Sequence, residues 1–406
     1  MRYLWLLLSA AFLQAQTLSS LIDSAHQNDR VESLKQRLSA AQLGHQSAKS
    51  GYLPRVDAFA DASLVDRTGG FDAKRSIASG LKAQMVVFDG FKRENSLHQS
   101  DALQNAARYD LSQGKKEVTL DVIQRYFELQ NTLDEIKTQQ VMCDQLSAQL
   151  VRLEKFHSAG LASEDALMRM RSELSNAQYL LEDLHYQADR QKGDLEVIAN
   201  QKISDLAPSG IIEPAQLQAE ELDALKALRY ARDAKRFEAK KADGGFLPTL
   251  TLADQYGFYD YYNDPIAEMR VARQNKLTAS LSVNLLDFGS ASAARQALAA
   301  EAQAQNSELA YASKEAGNNL LMAQRYIERS RTLIDASQSA YDASVKTFDA
   351  VKQKYEARIV DYITYLDALH SLTDATNRLS RAKRSLHSAY ASYYYYAGHD
   401  PKEFVR

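Results

Sequence analysis

The chain has 406 residues, a formal net charge of −3, 25% charged residues and 45% hydrophobic residues. The near-neutral charge gives no electrostatic ground for a nucleic-acid partner, and the ordinary apolar content excludes bulk disorder. Helix breakers are scarce, with 16 Gly and 6 Pro, which favours long helices. The single cysteine, Cys143, excludes an intramolecular disulfide, a Cys-rich metal site and a lipid anchor near the N-terminus. It reads as a small buried hydrophobe on a helix.

Residues 1–15 read as a secretory signal peptide. Arg2 supplies the positive start, an apolar run extends from Leu4 to Leu13, and Ala15 offers a small residue for cleavage. The run is shorter than the roughly 20 apolar residues of a transmembrane helix, and no such stretch follows. If the mature protein enters a membrane, a β-barrel is the remaining architecture.

After a first helix starting near Leu18, Gly51-Tyr52-Leu53-Pro54 leads into an alternating segment, Arg55 to Leu64. A second, Ile77 to Val87, ends in Phe88-Asp89-Gly90. No proline interrupts Lys92 to Phe156, and a helix of about 65 residues would be about 100 Å long. Gly160 stops it and Ser163-Glu164-Asp165 caps a returning helix, which makes a hairpin. That helix runs to near Asn200. Ile203 to Pro214, with Pro208, Gly210 and Pro214, is a connector. A second set then begins with a helix from near Ala215. Gly245-Phe246-Leu247-Pro248 enters the alternating segment Thr249 to Tyr259, and Lys276 to Leu285 follows. Leu286-Asp287-Phe288-Gly289 then opens a proline-free stretch from Ala291 to Tyr355. Ala357-Arg358-Ile359-Val360-Asp361 makes the second turn, without glycine, before Ile359 to Tyr396.

The chain is therefore an internal duplication. Asp89 and Asp287 lie 198 residues apart, Phe156 and Tyr355 lie 199 apart, and Gly51 and Gly245 lie 194 apart. Residues 16–200 form the first repeat and 201–214 the connector. Residues 215–397 form the second repeat and 398–406 a C-terminal tail. Two copies fall short of a solenoid array. Seams at three- and four-residue spacing mark coiled-coil contacts: Val118, Val122, Tyr126, Leu129 and Leu133 in one half, Leu320, Ala323, Ile327, Ser330 and Ile334 in the other.

Each alternating segment has one apolar and one polar face. That suits lipid outside and water inside, and equally a soluble sheet with one buried face. The third segment is the least regular, because Asp254 falls on its apolar face. The aromatic cluster Tyr256, Phe258, Tyr259, Tyr261 and Tyr262 suits an interfacial girdle. Four strands do not close a membrane barrel, so in lipid the barrel is shared between chains. Two copies give 8 strands with a filled interior, and three give 12 with room for a lumen. The polar strand faces favour three.

The ordered, duplicated motifs resemble the TolC family of outer-membrane efflux proteins over nearly the whole mature chain. The resemblance rests on the two Gly-aromatic-Leu-Pro entries, the strand exits Phe88-Asp89-Gly90 and Leu286-Asp287-Phe288-Gly289, and the tips Ala159-Gly160-Leu161-Ala162-Ser163 and Tyr355-Glu356-Ala357-Arg358. It implies a mainly α protein with a small β part: a homotrimer in which long α-helical hairpins build a periplasmic α-barrel. Four transmembrane β-strands per chain then contribute to a shared 12-stranded β-barrel. It implies an exit duct for a tripartite efflux or type I secretion system, in the outer membrane of a Gram-negative bacterium. Its partners would be outer-membrane lipid, a periplasmic adaptor and an inner-membrane pump of RND or ABC type, with no cofactor.

Carried over residue by residue, the resemblance places a pore gate at Tyr355 and Asp367, with Asp361 or Arg358 available for a different lock. Adaptor contacts fall on Gly160, Leu161, Ala162, Ser163, Arg358 and Ile359. Arg358 stands where the family has glycine. The family's Arg–Asp lock falls on Val360 and Ala166, so that lock is not matched. No nucleophile elbow, phosphate-binding loop, dinucleotide fingerprint or His-Glu-x-x-His is present, and the eight histidines are scattered. Catalysis is not expected. The competing reading is a periplasmic or surface coiled-coil interaction protein with a small soluble β-domain.

Overall fold

A computed structural model describes residues 16–66, 73–215, 218–264 and 266–406. The expected signal peptide lies outside them. The chain divides into two compact units, one of residues 34–111 and 224–313 and one of the remainder.

The first unit holds the sheet. Its strands are β1 (Arg55–Leu64), β2 (Arg75–Phe88), β3 (Thr249–Tyr262) and β4 (Arg273–Ser282). They form one antiparallel sheet in the order β1-β2-β3-β4. Pro54 and Pro248 stand directly before β1 and β3. Proline lacks an N–H and pushes its predecessor into extended backbone, as at Leu247 (φ −81°, ψ 150°). β4 ends at Ser282, three residues short of the expected Leu285. Its partner β3 starts at Thr249, paired with Ser282, so Val283 to Leu285 have no backbone left to pair with.

The register gathers the apolar positions of all four strands onto one face. Val56 pairs with Ala83, Ala83 with Asp254 and Asp254 with Leu277; one row up, Ala58 pairs with Leu81 and Leu81 with Tyr256. Asp254 is the exception foreseen in the sequence; Asp260, in register with Ile77, and Arg273, in register with Phe258, also fall on this face. The opposite face carries Asp57, Lys82, Gln255 and Lys276 in one row. The apolar face is uncovered in the protomer: Leu64, Leu277 and Leu281 are 82%, 76% and 68% exposed. A soluble sheet buries such a face, which would otherwise cost roughly 25 cal/mol per Å².

The same unit contains most of α2 (Asp29–Ser50), nearly all of α5 (Asp223–Asp243), and the beginnings of α3 (Lys92–Ser158) and α6 (Ser290–Glu356). α5 begins at Asp223, later than the expected start near Ala215. Glu220 N instead donates to Ala397 O (2.8 Å), which holds the preceding residues outside a helix. Each strand-to-helix elbow is closed by an aspartate. Asp89 Oδ2 accepts from Arg93 N (3.1 Å) and Asp287 Oδ2 from Ala291 N (2.8 Å). Two left-handed residues follow each aspartate: Gly90 and Phe91 (φ 69° and 65°), then Phe288 and Gly289 (φ 53° and 88°). The duplicated elbow thus keeps its backbone while the order of Gly and Phe is exchanged.

The second unit contains α1 (Leu18–Ala25), the rest of α3 and α6, α4 (Glu164–Ala199) and α7 (Tyr362–Tyr396). Both long helices have 67 residues and begin and end 198 residues apart, which corrects the 199-residue tip alignment. The expected seams face inward. Val118, Val122, Tyr126, Leu129, Ala323, Ile327 and Ser330 are buried, while Leu133, Leu320 and Ile334 are half-buried. Cys143 is buried with Met142, Leu146 and Met170, and burial pushes its thiol pKa up.

The connector and the C-terminus are tied to each other and to the helices. Gly210 and Arg406 exchange backbone hydrogen bonds (3.0 and 2.9 Å). Tyr394 Oη donates to Ile212 O (3.1 Å) and its ring stacks on Phe404, with centroids 3.6 Å apart. Tyr126 Oη donates to Ala207 O. No helix among the described residues is long and apolar enough to cross a membrane.

Candidate functional site

The two hairpin tips are built on the same backbone plan. α3 ends with Leu161 N donating to Phe156 O (2.8 Å) and Gly160 N to His157 O (2.9 Å), Gly160 being left-handed at φ 73°. α6 ends with Ile359 N donating to Lys354 O (2.8 Å) and Arg358 N to Tyr355 O (3.0 Å), Arg358 being left-handed at φ 60°. This is the Schellman termination, in which a left-handed residue lets the last carbonyls find donors. The returning helices are then capped by side chains. Ser163 Oγ accepts from Ala166 N (3.3 Å), and Asp361 Oδ1 accepts from Thr364 N (3.0 Å) and Thr364 Oγ1 (2.7 Å). The Thr364 hydrogen bonds hold the Asp361 carboxyl below its usual range.

The candidate gate residues separate into different environments. Tyr355 is half-buried and stacked on Tyr365 (4.9 Å, 25°), and burial raises its pKa. Asp361 is engaged as the α7 cap. Asp367 is exposed on α7, between the buried pairs Tyr365–Leu366 and Ala368–Leu369. Among the candidate contact residues, Leu161 and Ile359 occupy equivalent positions just past the two turns and are 63% and 72% exposed. The two turns therefore present a matched pair of bare apolar side chains.

A groove of about 290 Å³ lies among Phe156, Ala162, Ser163, Tyr355, Arg358 and Asp361. It contains Arg152, which the sequence did not single out, and Phe156, which the sequence marked only as a repeat landmark. The Arg358 guanidinium lies 4.6 Å from the Phe156 ring centre, and that of Arg152 lies 5.4 Å from it and 5.7 Å from Tyr355. Arg152 Nη2 also donates to Glu356 O (3.3 Å), so it ties the end of α6 to α3. The four-residue spacing of Arg152 and Phe156 was the available clue, since residues so spaced share a helix face.

Comparison with known proteins places this arrangement. The family model described as outer membrane efflux protein matches residues 21–201 and 215–399. The chain belongs to that family. The Campylobacter jejuni CmeC outer membrane channel superposes with a TM-score of 0.85 at 14% identity, over 94% of this chain and 85% of that one. VceC, an outer membrane protein of Vibrio cholerae, gives 0.83 at 15% identity, over 94% and 96%. The open-state MtrE outer membrane channel of Neisseria gonorrhoeae gives 0.79 at 17%, over 94% and 89%. No curated protein sequence matches the chain. The expected family, fold class and outer-membrane location are thereby borne out: the protein is an outer-membrane efflux duct of a Gram-negative bacterium, from a class of channels and not of enzymes.

Proposed function

We propose that three copies of this chain close their sheets edge to edge into a 12-stranded barrel, and that the helical hairpins line a periplasmic tunnel. The duct conducts substrates passively; a periplasmic adaptor binds the hairpin tips, and an inner-membrane pump of RND or ABC type supplies the energy. The observation that carries this reading is the apolar face of the sheet, uncovered in the protomer and flanked by the edge strands β1 and β4, each paired on one side only. Strands of 10 to 14 residues are long enough to cross an apolar band of about 25 Å when tilted. Edges that face lipid must pair, because each unsatisfied backbone group costs several kcal/mol there.

In this reading Leu161 and Ile359, with Gly160, Ala162, Ser163 and Arg358, meet the adaptor. Asp367 lines the periplasmic entrance, Tyr355 supports it from the tip core, and Asp361 sets the start of the gate helix. The connector and C-terminal tail form an equatorial girdle. A soluble coiled-coil protein is disfavoured because no described residue covers the apolar sheet face. Planar-bilayer recording of the mature protein tests the proposal. Stepwise ion conductance is expected, and an electrically silent protein that stays in the aqueous phase would overturn it.

A further inference from the structure

The polar face of the sheet carries an unbalanced charge at one level. Lys82 of β2 and Lys276 of β4 both stand in register with Gln255 of β3. The anion in that row is Asp57, paired across from Lys82, but its Oδ1 accepts from Arg55 Nε at 2.8 Å. The carboxylate is thus matched by the guanidinium, and neither lysine has an ion-pair partner among the described residues.

The next row on the same face is built from glycines packed under aromatic rings. Phe59, Gly80 and Gly257 stand opposite one another there. A Cβ on Gly80 would lie 2.1 Å from Tyr256 O and 3.0 Å from the Phe59 ring, and one on Gly257 would lie 2.7 Å from Tyr259 Oη. Both glycines are therefore required for the Phe59 and Tyr259 rings to lie against the wall beside the lysine row.

Resting on the duct reading above, we propose that Lys82 and Lys276 of every copy form a cationic ring inside the barrel that selects for anionic solutes. With the apolar face toward lipid, strand alternation turns both lysines toward the lumen. A water-filled passage with low-dielectric walls focuses the field of such a ring and raises the local concentration of counter-ions. The field reaches about 10 Å at 0.1 M salt and about 3 Å at 1 M, so selection weakens as salt rises.

The test is the reversal potential of single channels in a KCl gradient. Replacing both residues (K82Q/K276Q) is expected to lower the chloride-to-potassium permeability ratio severalfold. K82R/K276R is expected to retain the wild-type ratio, and K82E/K276E to push it further toward potassium. An unchanged ratio in the Gln and Glu variants of a conducting channel would overturn the ring. Absence of conductance from the wild type would instead overturn the duct reading, so the two failures are distinguishable.

Discussion

Gly160 and Arg358 hold the same left-handed position at the ends of the two 67-residue helices, 198 residues apart. Glycine adopts that conformation freely, whereas another residue meets a steric cost of about 1–2 kcal/mol. Arg358 offsets part of this through its contact with Phe156, worth roughly 0.5–1 kcal/mol at a partly exposed site. Gly160→Ala is therefore expected to destabilise the tip by about 1 kcal/mol. Arg358→Gly relieves strain and loses the ring contact, so it is expected to be near neutral. Arg358→Ala keeps the strain, loses the contact and is expected to be the worse of the two. Thermal unfolding of the detergent-extracted protein checks the ranking.

Asp367 is exposed and without an ion pair among the described residues and, unlike Asp361, does not cap a helix. Three such carboxylates near a threefold axis would favour cations at the constriction. Asp367→Asn is expected to reduce cation preference and block by divalent cations in single-channel recordings. That is the opposite direction to the lysine variants of the barrel.

His387 links stability to pH. Its Nδ1 accepts from Ile211 N (3.1 Å), and its ring stacks on Phe127 (5.1 Å). Burial, reinforced by Arg384 on its own helix and Arg406 of the C-terminus, holds its pKa below the ordinary imidazole range. The native state therefore keeps the ring neutral while the unfolded chain takes up a proton near pH 6.5. Below that pH the unfolded state binds more protons, so stability falls as pH drops. His26, which meets Thr119 Oγ1 at 2.9 Å, is lowered by burial in the same way. The unfolding midpoint is expected to drop between pH 7.5 and 5.5, and His387→Gln is expected to flatten that decline.

Asp223 opens α5 and pairs with Lys116 at 2.8 Å, with both side chains largely buried. Ser112 Oγ donates to the same carboxylate (2.7 Å), and Lys116 Nζ also donates to Gly398 O (2.7 Å). Removing one member leaves a buried charge unmatched, so Asp223→Ala is expected to cost about 3 kcal/mol. Replacing both partners with apolar residues of similar size is expected to cost much less. Denaturant titration of the two variants provides the comparison.

The long helices were legible because proline is absent and the seams repeat. The strands were legible because apolar and polar residues alternate about a single face. What escaped the sequence depends on pairing or on chain-distant contacts. β4 stops at Ser282 because β3 has no backbone beyond Thr249 to meet it. The late start of α5 is set by the Glu220–Ala397 hydrogen bond, a contact between residues far apart in the chain. The Arg152–Phe156–Arg358 cluster joins the two halves of the duplication, so neither half read alone reveals it. The role of Asp361 as an N-cap was missed although it is local, its three-residue spacing to Thr364 being the signal that could have shown it.

The decisive quantity is the mass of the particle released from the outer membrane by mild detergent, read by native mass spectrometry. Pairing of β1 with β4 of a neighbour predicts three chains per particle, together with protection of Leu277 and Leu281 by detergent or lipid. A monodisperse single chain that stays soluble once detergent is withdrawn would contradict it.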